Sequence, residues 1–201
     1  MIKALLFDLD GVIANSEPFS KQLALHYGIS RDATTYFFRG RFLDCLVGKA
    51  DLKEELEVLL PVWGWRKSTE EFLHEWFLYE HRLNEQLLSF IEQLRSQGIR
   101  CYVATNQEQY RTAYALNEME LGKRFDGIFS SAHIGYMKSD PAFFENVLQQ
   151  LSGIQAHEVL FWDDSPDNIA MAQQVGLQAE VYTTFADFVE KMEGYMKKDA
   201  L

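Results

Sequence analysis

The fold of this chain is decided by the stretch Ala4-Leu5-Leu6-Phe7-Asp8-Leu9-Asp10-Gly11. An apolar run ends there at two aspartates one residue apart, and a glycine then lets the backbone turn away. Such a run is typical of a strand buried on both faces of a parallel sheet. Because ligands bind beyond the carboxyl ends of these strands, we expect Asp8 and Asp10 to face a crevice. Taken alone, the motif is equally compatible with an aspartate-rich turn after an N-terminal strand.

Beyond residue 83 the apolar pattern alternates between strands and helices. Helices long enough to serve as crossovers separate the predicted strands. The sequence therefore predicts an α/β fold with a Rossmann-like, doubly wound parallel sheet and helices on both faces. After the N-terminal strand, the predicted strands cover residues 99–104, 125–129, 159–162 and 179–182.

Residues 16–82, the helical segment, carry apolar side chains at helical spacing and no convincing strand. We expect a helix break at Gly40 and another helix that ends ahead of Pro61. The pattern predicts a small all-helical domain at residues 16–82. It is inserted into an α/β core domain formed by residues 1–15 and 83–201.

The composition is that of a globular protein, with 201 residues of which 47% are hydrophobic and 24% charged. A net charge of −11 without a basic run disfavours nucleic acid and anionic membranes as partners. Cys45 and Cys101 show neither metal-ligand spacing nor a disulfide framework. We see no secretion signal and no run of 18 apolar residues that could span a bilayer. These observations predict a cytoplasmic protein, present as a monomer or a weak homodimer.

Chemically distinctive side chains follow the predicted strands, and parallel strands place such residues along one edge of the sheet. Two acidic pairs would lie there, and like charges about 5 Å apart repel by about 3 kcal/mol at an effective dielectric constant near 20. A lysine can supply one positive charge, and Mg²⁺ accepts several carboxylate oxygens. Because Mg²⁺ normally shares its site with substrate phosphate, the pattern indicates phosphoryl chemistry. The residues concerned are Asp8 and Asp10, Thr105 and Asn106, Lys138, and Asp163 with Asp164.

Four segments resemble, in order, the four motifs of the haloacid dehalogenase-like hydrolases. They are residues 7–12 (FDLDGV), 103–106 (VATN), 135–141 (GYMKSDP) and 161–169 (FWDDSPDNI). The helical segment is similar to the type 1 cap of that superfamily. Its small all-helical character resembles the branch that contains sugar-1-phosphate phosphatases and the N-terminal domain of epoxide hydrolases.

The resemblance implies roles for the acidic residues. Asp8 would be the nucleophile that forms an aspartyl phosphate, and Asp10 would protonate the leaving oxygen and then deprotonate water. Mg²⁺ would be held by the Asp8 carboxylate, the Asp10 backbone carbonyl and Asp164. Asp163 would be an additional ligand, or it would contact the ligands without coordinating the ion itself.

The resemblance also implies a phosphate-binding set. Thr105 and Asn106 would hold the phosphoryl oxygens, together with backbone N–H groups at the start of the next helix. Lys138 would neutralise their charge. Asn168 stands where some branches carry another aspartate, which leaves open what orients Lys138; Asp167 is a neighbouring candidate.

Candidate substrate contacts in the helical segment are Glu17, Arg39 and Arg41. The two arginines could reach a substrate from above the site, as residues of the cap do in similar enzymes. Glu17 lies where the helical segment begins. An exposed helix face would explain the two arginines equally well.

The function implied by the resemblance is Mg²⁺-dependent hydrolysis of a small phosphorylated metabolite, with a leaning to a sugar phosphate. Asp10 disfavours dehalogenation, because the dehalogenases of the superfamily lack an acid at that position. One alternative is a phosphomutase of the β-phosphoglucomutase type. Another is a non-catalytic binding module, although such members are expected to lose the nucleophile or the metal ligands, and this chain retains them.

Overall fold

A five-stranded parallel sheet forms the centre of the protein, described from a computed structural model for residues 1–198. Its strands are β1 (Ala4–Phe7), β2 (Arg100–Thr105), β3 (Gly127–Ser130), β4 (Val159–Asp163) and β5 (Gln178–Val181). They are arranged in the order β3-β2-β1-β4-β5, so the chain winds outward from β1 in both directions. The predicted doubly wound α/β fold is confirmed. The predicted core domain extends to residue 201, and its last three residues lie outside the described residues.

β1 is buried on both faces, as the apolar run predicts. Leu5 lies opposite both Cys101 and Leu160 in the parallel register. Leu5 and Phe7 pack into the hydrophobic core on one face, whereas Leu6 packs into the core on the other. Since successive side chains of a strand point to opposite faces, a run of four apolar residues satisfies both cores. The burial of β1 fixes the position of the two aspartates that follow it.

The helical segment contains five helices around a hydrophobic core of its own. Their bounds are α1 (Phe19–Tyr27), α2 (Arg31–Phe38), α3 (Arg41–Leu46), α4 (Leu52–Trp63) and α5 (Thr69–Tyr79). The chain enters and leaves this segment through two connections that run side by side. Asn15 N donates to Arg82 O over 2.9 Å, and Asn84 N donates to Ile13 O over 2.8 Å.

Helices of the remaining chain cover both faces of the sheet. They are α6 (Glu85–Ser96), α7 (Gln109–Asn117), α8 (Leu121–Arg124), α9 (Ser131–Ile134), α10 (Pro141–Gln150), α11 (Pro166–Gln174) and α12 (Phe185–Lys198), with a 3₁₀ turn at Ala156–Glu158. Of these, α6 and α12 pack on the face with Leu5, and α10 and α11 on the face with Leu6. The sheet is therefore the middle layer of three, as a doubly wound fold requires.

The predicted helix end ahead of Pro61 is wrong. Helix α4 continues through Pro61 to Trp63, and Gly64 ends it in a left-handed conformation. Pro61 removes one N–H donor from the last turn, and the capping hydrogen bonds of Gly64 together with the burial of Trp63 hold that turn in place. The predicted break at Gly40 is confirmed, since Gly40 separates α2 from α3. No helix within residues 1–198 is long and apolar enough to cross a membrane.

Candidate active site

The carboxyl ends of three adjacent strands meet at one cavity of about 390 Å³. Asp8 directly follows β1, and its backbone N–H donates to Trp162 O of β4 over 2.9 Å. Thr105 ends β2 and Asp163 ends β4. This site cavity is lined by Asp8, Asp10, Gly11, Ser16, Thr105, Asn106, Lys138, Asp164 and Asn168.

Lys138 is buried between two carboxylates. Its Nζ lies 2.6 Å from Asp8 Oδ1 and 2.6 Å from Asp163 Oδ2, and the lysine side chain is only 1% exposed. The side chain of Asn106 accepts a hydrogen bond from the backbone N–H of Lys138 over 2.8 Å, which fixes the loop that carries Lys138. Burial would lower the pKa of Lys138, but the two carboxylates outweigh it and raise the pKa above the usual range. Lys138 is therefore a cation.

The acidic side chains are crowded. Carboxylate oxygens of Asp8, Asp163 and Asp164 lie within 4.8 Å of one another. Burial, opposed by Lys138 and reinforced by Asp163, raises the pKa of Asp8 to about 7. Burial and the neighbouring Asp163 also raise the pKa of Asp164. One lysine does not balance three carboxylates, and an oxygen-only donor set of this kind fits a hard divalent cation.

Asp163 is fully buried, and both of its carboxylate oxygens accept hydrogen bonds. Oδ1 accepts from Ser165 N over 2.8 Å, and Asn168 Nδ2 lies 3.1 Å from each oxygen. These bonds hold the carboxylate against Lys138. The alternative candidate for orienting the lysine, Asp167, is exposed in the first turn of α11.

Gly11 makes room for Asp164. Its φ of +84° is favourable only for glycine, and a Cβ atom at this position would lie 2.2 Å from Asp164 Oδ2. The glycine therefore permits both the turn after β1 and the approach of the Asp164 carboxylate to the site cavity.

Asp10 lines the site cavity with a side chain that is 48% exposed. Gln107 Nε2 donates to Asp10 Oδ2, and Arg111 Nη2 lies 3.6 Å from Asp10 Oδ1. Neither contact was predicted from the sequence. The available signals were the position of Gln107 directly after the second motif and a basic residue in the first turn of α7, where the helix dipole disfavours it.

The three predicted substrate contacts of the helical segment do not line the site cavity. Glu17 is exposed and pairs with Lys21 over 2.7 Å. Arg41 is exposed and pairs with Glu55 over 2.7 Å, and also with Asp44. Their charges are thus engaged at the surface of the helical segment.

Arg39 lines a second cavity of about 610 Å³, which lies within the helical segment. Phe19, Phe38 and Trp76 supply aromatic walls to this second cavity, and Glu80 contributes a carboxylate. Glu80 Oε2 lies 3.6 Å from Arg111 Nη2, the same nitrogen that approaches Asp10. Arg111 therefore approaches one lining residue of each cavity.

Residues 2–176 match the family model of the haloacid dehalogenase-like hydrolases. The chain belongs to this family, and the predicted family and hydrolase class are confirmed. The matched residues include β1, the two aspartates that follow it, and Asp163 and Asp164 at the end of β4.

Two curated relatives and one solved structure illustrate the similarity. A sesquiterpene phosphatase of Aspergillus oryzae is 37% identical over 97 residues, which are 48% of this chain and 48% of the relative. A phosphorylated carbohydrates phosphatase of Thermotoga maritima is 25% identical over 183 residues, covering 88% of this chain and 83% of the relative. The match thus spans about half the length of the first relative and most of the second.

The solved structure is that of a HAD family enzyme from Bacteroides thetaiotaomicron in complex with magnesium and inorganic phosphate. It superposes with a TM-score of 0.78 at 21% identity, covering 92% of this chain and 96% of that chain. This likeness shows that the two chains share a fold.

Proposed function

We propose that the protein is a Mg²⁺-dependent phosphatase that hydrolyses a small phosphorylated metabolite through an aspartyl-phosphate intermediate. The observation that carries this proposal is the convergence of Asp8, Lys138 and Asp164 with Thr105 at the site cavity. The names of the two relatives, both phosphatases, and the magnesium and phosphate bound to the Bacteroides enzyme support it.

The acidic cluster fits a magnesium ion because it offers oxygen donors and carries excess negative charge. The Asp8 carboxylate, the Asp10 backbone carbonyl and Asp164 would hold the ion. When bound, Mg²⁺ would neutralise charge on the phosphoryl oxygens. Asp163 would position Lys138 instead of coordinating the ion, since Lys138, Ser165 and Asn168 already occupy its carboxylate.

Asp8 would act as the nucleophile. A carboxylate oxygen forms a bond to phosphorus while the ester P–O bond breaks, and Asp10 gives its proton to the leaving oxygen. Asp10 then takes a proton from water as that water attacks phosphorus, which releases inorganic phosphate and regenerates Asp8. A positioned acid or base contributes about 10²–10⁴-fold to such a step.

Thr105, Asn106 and Lys138 would hold the transferred phosphoryl group. Thr105 is buried at the end of β2, and Asn106 is tied to the backbone of Lys138. Lys138 contacts Asp8 directly, so its positive charge lies where the phosphoryl group would bind. Fixed donors of this kind stabilise developing charge without reorganisation.

The helical segment would act as a cap domain over a core domain of residues 1–15 and 83–201. The leaving group would extend from the site cavity towards this cap. A sugar phosphate is the first candidate substrate, supported by the carbohydrate phosphatase that aligns with 88% of the chain. A terpenoid phosphate is the second candidate, because Phe19, Phe38 and Trp76 give the second cavity an aromatic lining. Cytoplasmic location and a monomeric or weakly dimeric state remain predictions.

The test is phosphate release from a panel of sugar, nucleotide, glycolate and prenyl phosphates, ranked by kcat/KM. We expect activity that requires Mg²⁺, is lost in Asp8→Asn and is retained in the matched control Asp167→Asn, since Asp167 is exposed. Retained activity in Asp8→Asn would reject the proposed nucleophile. Isomerisation without phosphate release would identify a phosphomutase, and Mg²⁺ binding without turnover of any substrate would indicate a binding module.

A further inference from the structure

Arg111 occupies an unfavourable position for a cation. It is the third residue of α7, where the helix dipole repels positive charge, and it is only 2% exposed. Its Nε is buried without a hydrogen-bond partner among the described residues. Burying an incompletely bonded guanidinium is costly, so contacts of Arg111 outside α7 must offset this cost.

The contacts of Arg111 join two parts of the protein. Its Nη1 donates to Phe77 O over 3.0 Å, and its Nη2 lies 3.5 Å from Glu80 O, at the end of α5. The same Nη2 is 3.6 Å from the Glu80 carboxylate and 3.6 Å from the Asp10 carboxylate. Glu80 in turn accepts a hydrogen bond from Phe19 N, at the first residue of α1, over 3.0 Å. One guanidinium thus links both ends of the helical segment to Asp10.

We propose that Arg111 is a positioning residue that orients the Asp10 carboxylate and couples this orientation to Glu80 at the end of the helical segment. The inference rests on the proposed function, in which Asp10 protonates the leaving oxygen. Arg111 faces Oδ1 of Asp10, and Gln107 donates to Oδ2, so both oxygens of the carboxylate are held. Arginine suits this task because its planar fork reaches several acceptors at once, which lysine cannot do.

Two aryl phosphates of similar shape separate a positioning role from a structural one. Phenolate leaves poorly without a proton, whereas p-nitrophenolate needs little help from an acid. Because kcat/KM reports the steps up to aspartyl-phosphate formation, the ratio of kcat/KM for phenyl phosphate to that for p-nitrophenyl phosphate measures the contribution of Asp10. We expect Arg111→Met to lower this ratio at least about fivefold. Asp10→Asn should change the ratio in the same direction.

A double variant tests whether Arg111 acts through Asp10. Arg111→Met should lower the ratio no further when it is added to Asp10→Asn, since coupled residues are non-additive. Glu80→Gln keeps both backbone carbonyl contacts and removes one charge, so it should lower the ratio by about twofold to threefold. Urea unfolding of each variant establishes that it is folded under the assay conditions.

An equal loss on both substrates, or an additional loss in the Asp10→Asn background, would overturn the inference. If Arg111→Met does not fold, Glu80→Gln decides, and an unchanged ratio in that variant would equally overturn the coupling. The proposed function fails separately, when the wild-type protein releases phosphate from neither the metabolite panel nor the two aryl phosphates, or when Asp8→Asn remains active.

Discussion

Replacement of Lys138 by methionine removes the cation that lies between two buried carboxylates. Charges 2.6 Å apart attract by about 6 kcal/mol at an effective dielectric constant near 20. Desolvation of the lysine offsets much of this attraction, and deleting one partner of a buried ion pair costs about 3–5 kcal/mol. We expect a loss of about 3 kcal/mol in the free energy of unfolding at pH 8 for Lys138→Met, because Asp163 keeps the bonds from Ser165 and Asn168.

The loss should depend on pH. Burial already raises the pKa of Asp8 to about 7, and removing Lys138 raises this pKa further. An acid whose pKa is higher in the folded chain than in the unfolded chain destabilises the fold when it is ionised. The penalty is therefore complete above the folded pKa and is lost as pH falls towards the unfolded value near 4. We expect the loss at pH 5 to be about half of that at pH 8 or less.

Urea unfolding at pH 5 and pH 8, without added metal, measures both effects. Lys197→Met is the matched control, because Lys197 is exposed and its ion pair with Glu193 is at the surface, so its effect should stay within about 0.5 kcal/mol. The double variant Lys138→Met/Asp163→Asn should recover at least about 1 kcal/mol at pH 8, since it also removes a stranded charge. A loss below about 1 kcal/mol, or one that is equal at both pH values, would refute the assigned electrostatics.

Three further predictions concern the metal and the surface. Gly11→Ala should weaken Mg²⁺ binding at least about tenfold in calorimetry, because its Cβ would displace Asp164. It should also destabilise the fold by about 1–2 kcal/mol, because φ at this position is +84°. Unchanged Mg²⁺ affinity would contradict the first expectation. Mg²⁺ should bind more weakly at pH 6 than at pH 8, because binding must release a proton from Asp8, whose pKa is about 7; calorimetry in two buffers of different ionisation enthalpy would detect that proton. Arg41→Ala should change the free energy of unfolding by less than about 1 kcal/mol and leave kcat/KM unaltered, since its ion pairs are exposed. A large fall in kcat/KM would instead support Arg41 as a substrate contact.

The sequence predicted the sheet and the cluster around Asp8 because these features depend on local pattern. A buried parallel strand needs an unbroken apolar run, and its carboxyl end is a fixed place in the fold. The sequence leaves open what orients Lys138, because Asn168 stands where some branches carry another aspartate and Asp167 is a neighbouring candidate. Only the three-dimensional structure shows that Asn168 contacts Asp163 while Asp167 is exposed.

Other features depend on tertiary contacts that leave little trace in sequence. The extension of α4 through Pro61 depends on the burial of Trp63 and on Gly64 as the helix end. Glu17 and Arg41 are charged residues of the helical segment, from which substrate contacts were expected. The sequence does not reveal that they form ion pairs with Lys21 and Glu55 at the surface.

The two aspartates after β1 are held in different ways, and this difference has a functional consequence. Asp8 is fixed by the sheet and by Lys138, both of which lie outside the helical segment. The Asp10 carboxylate is half exposed and is held by Gln107 and Arg111, and Arg111 also contacts the end of the helical segment. Under the proposed mechanism, a perturbation of the helical segment near α5 should therefore impair proton transfer from Asp10 to the leaving group more than nucleophilic attack by Asp8. Substrates with poor leaving groups would then be the ones most sensitive to that perturbation, because they depend most on the acid.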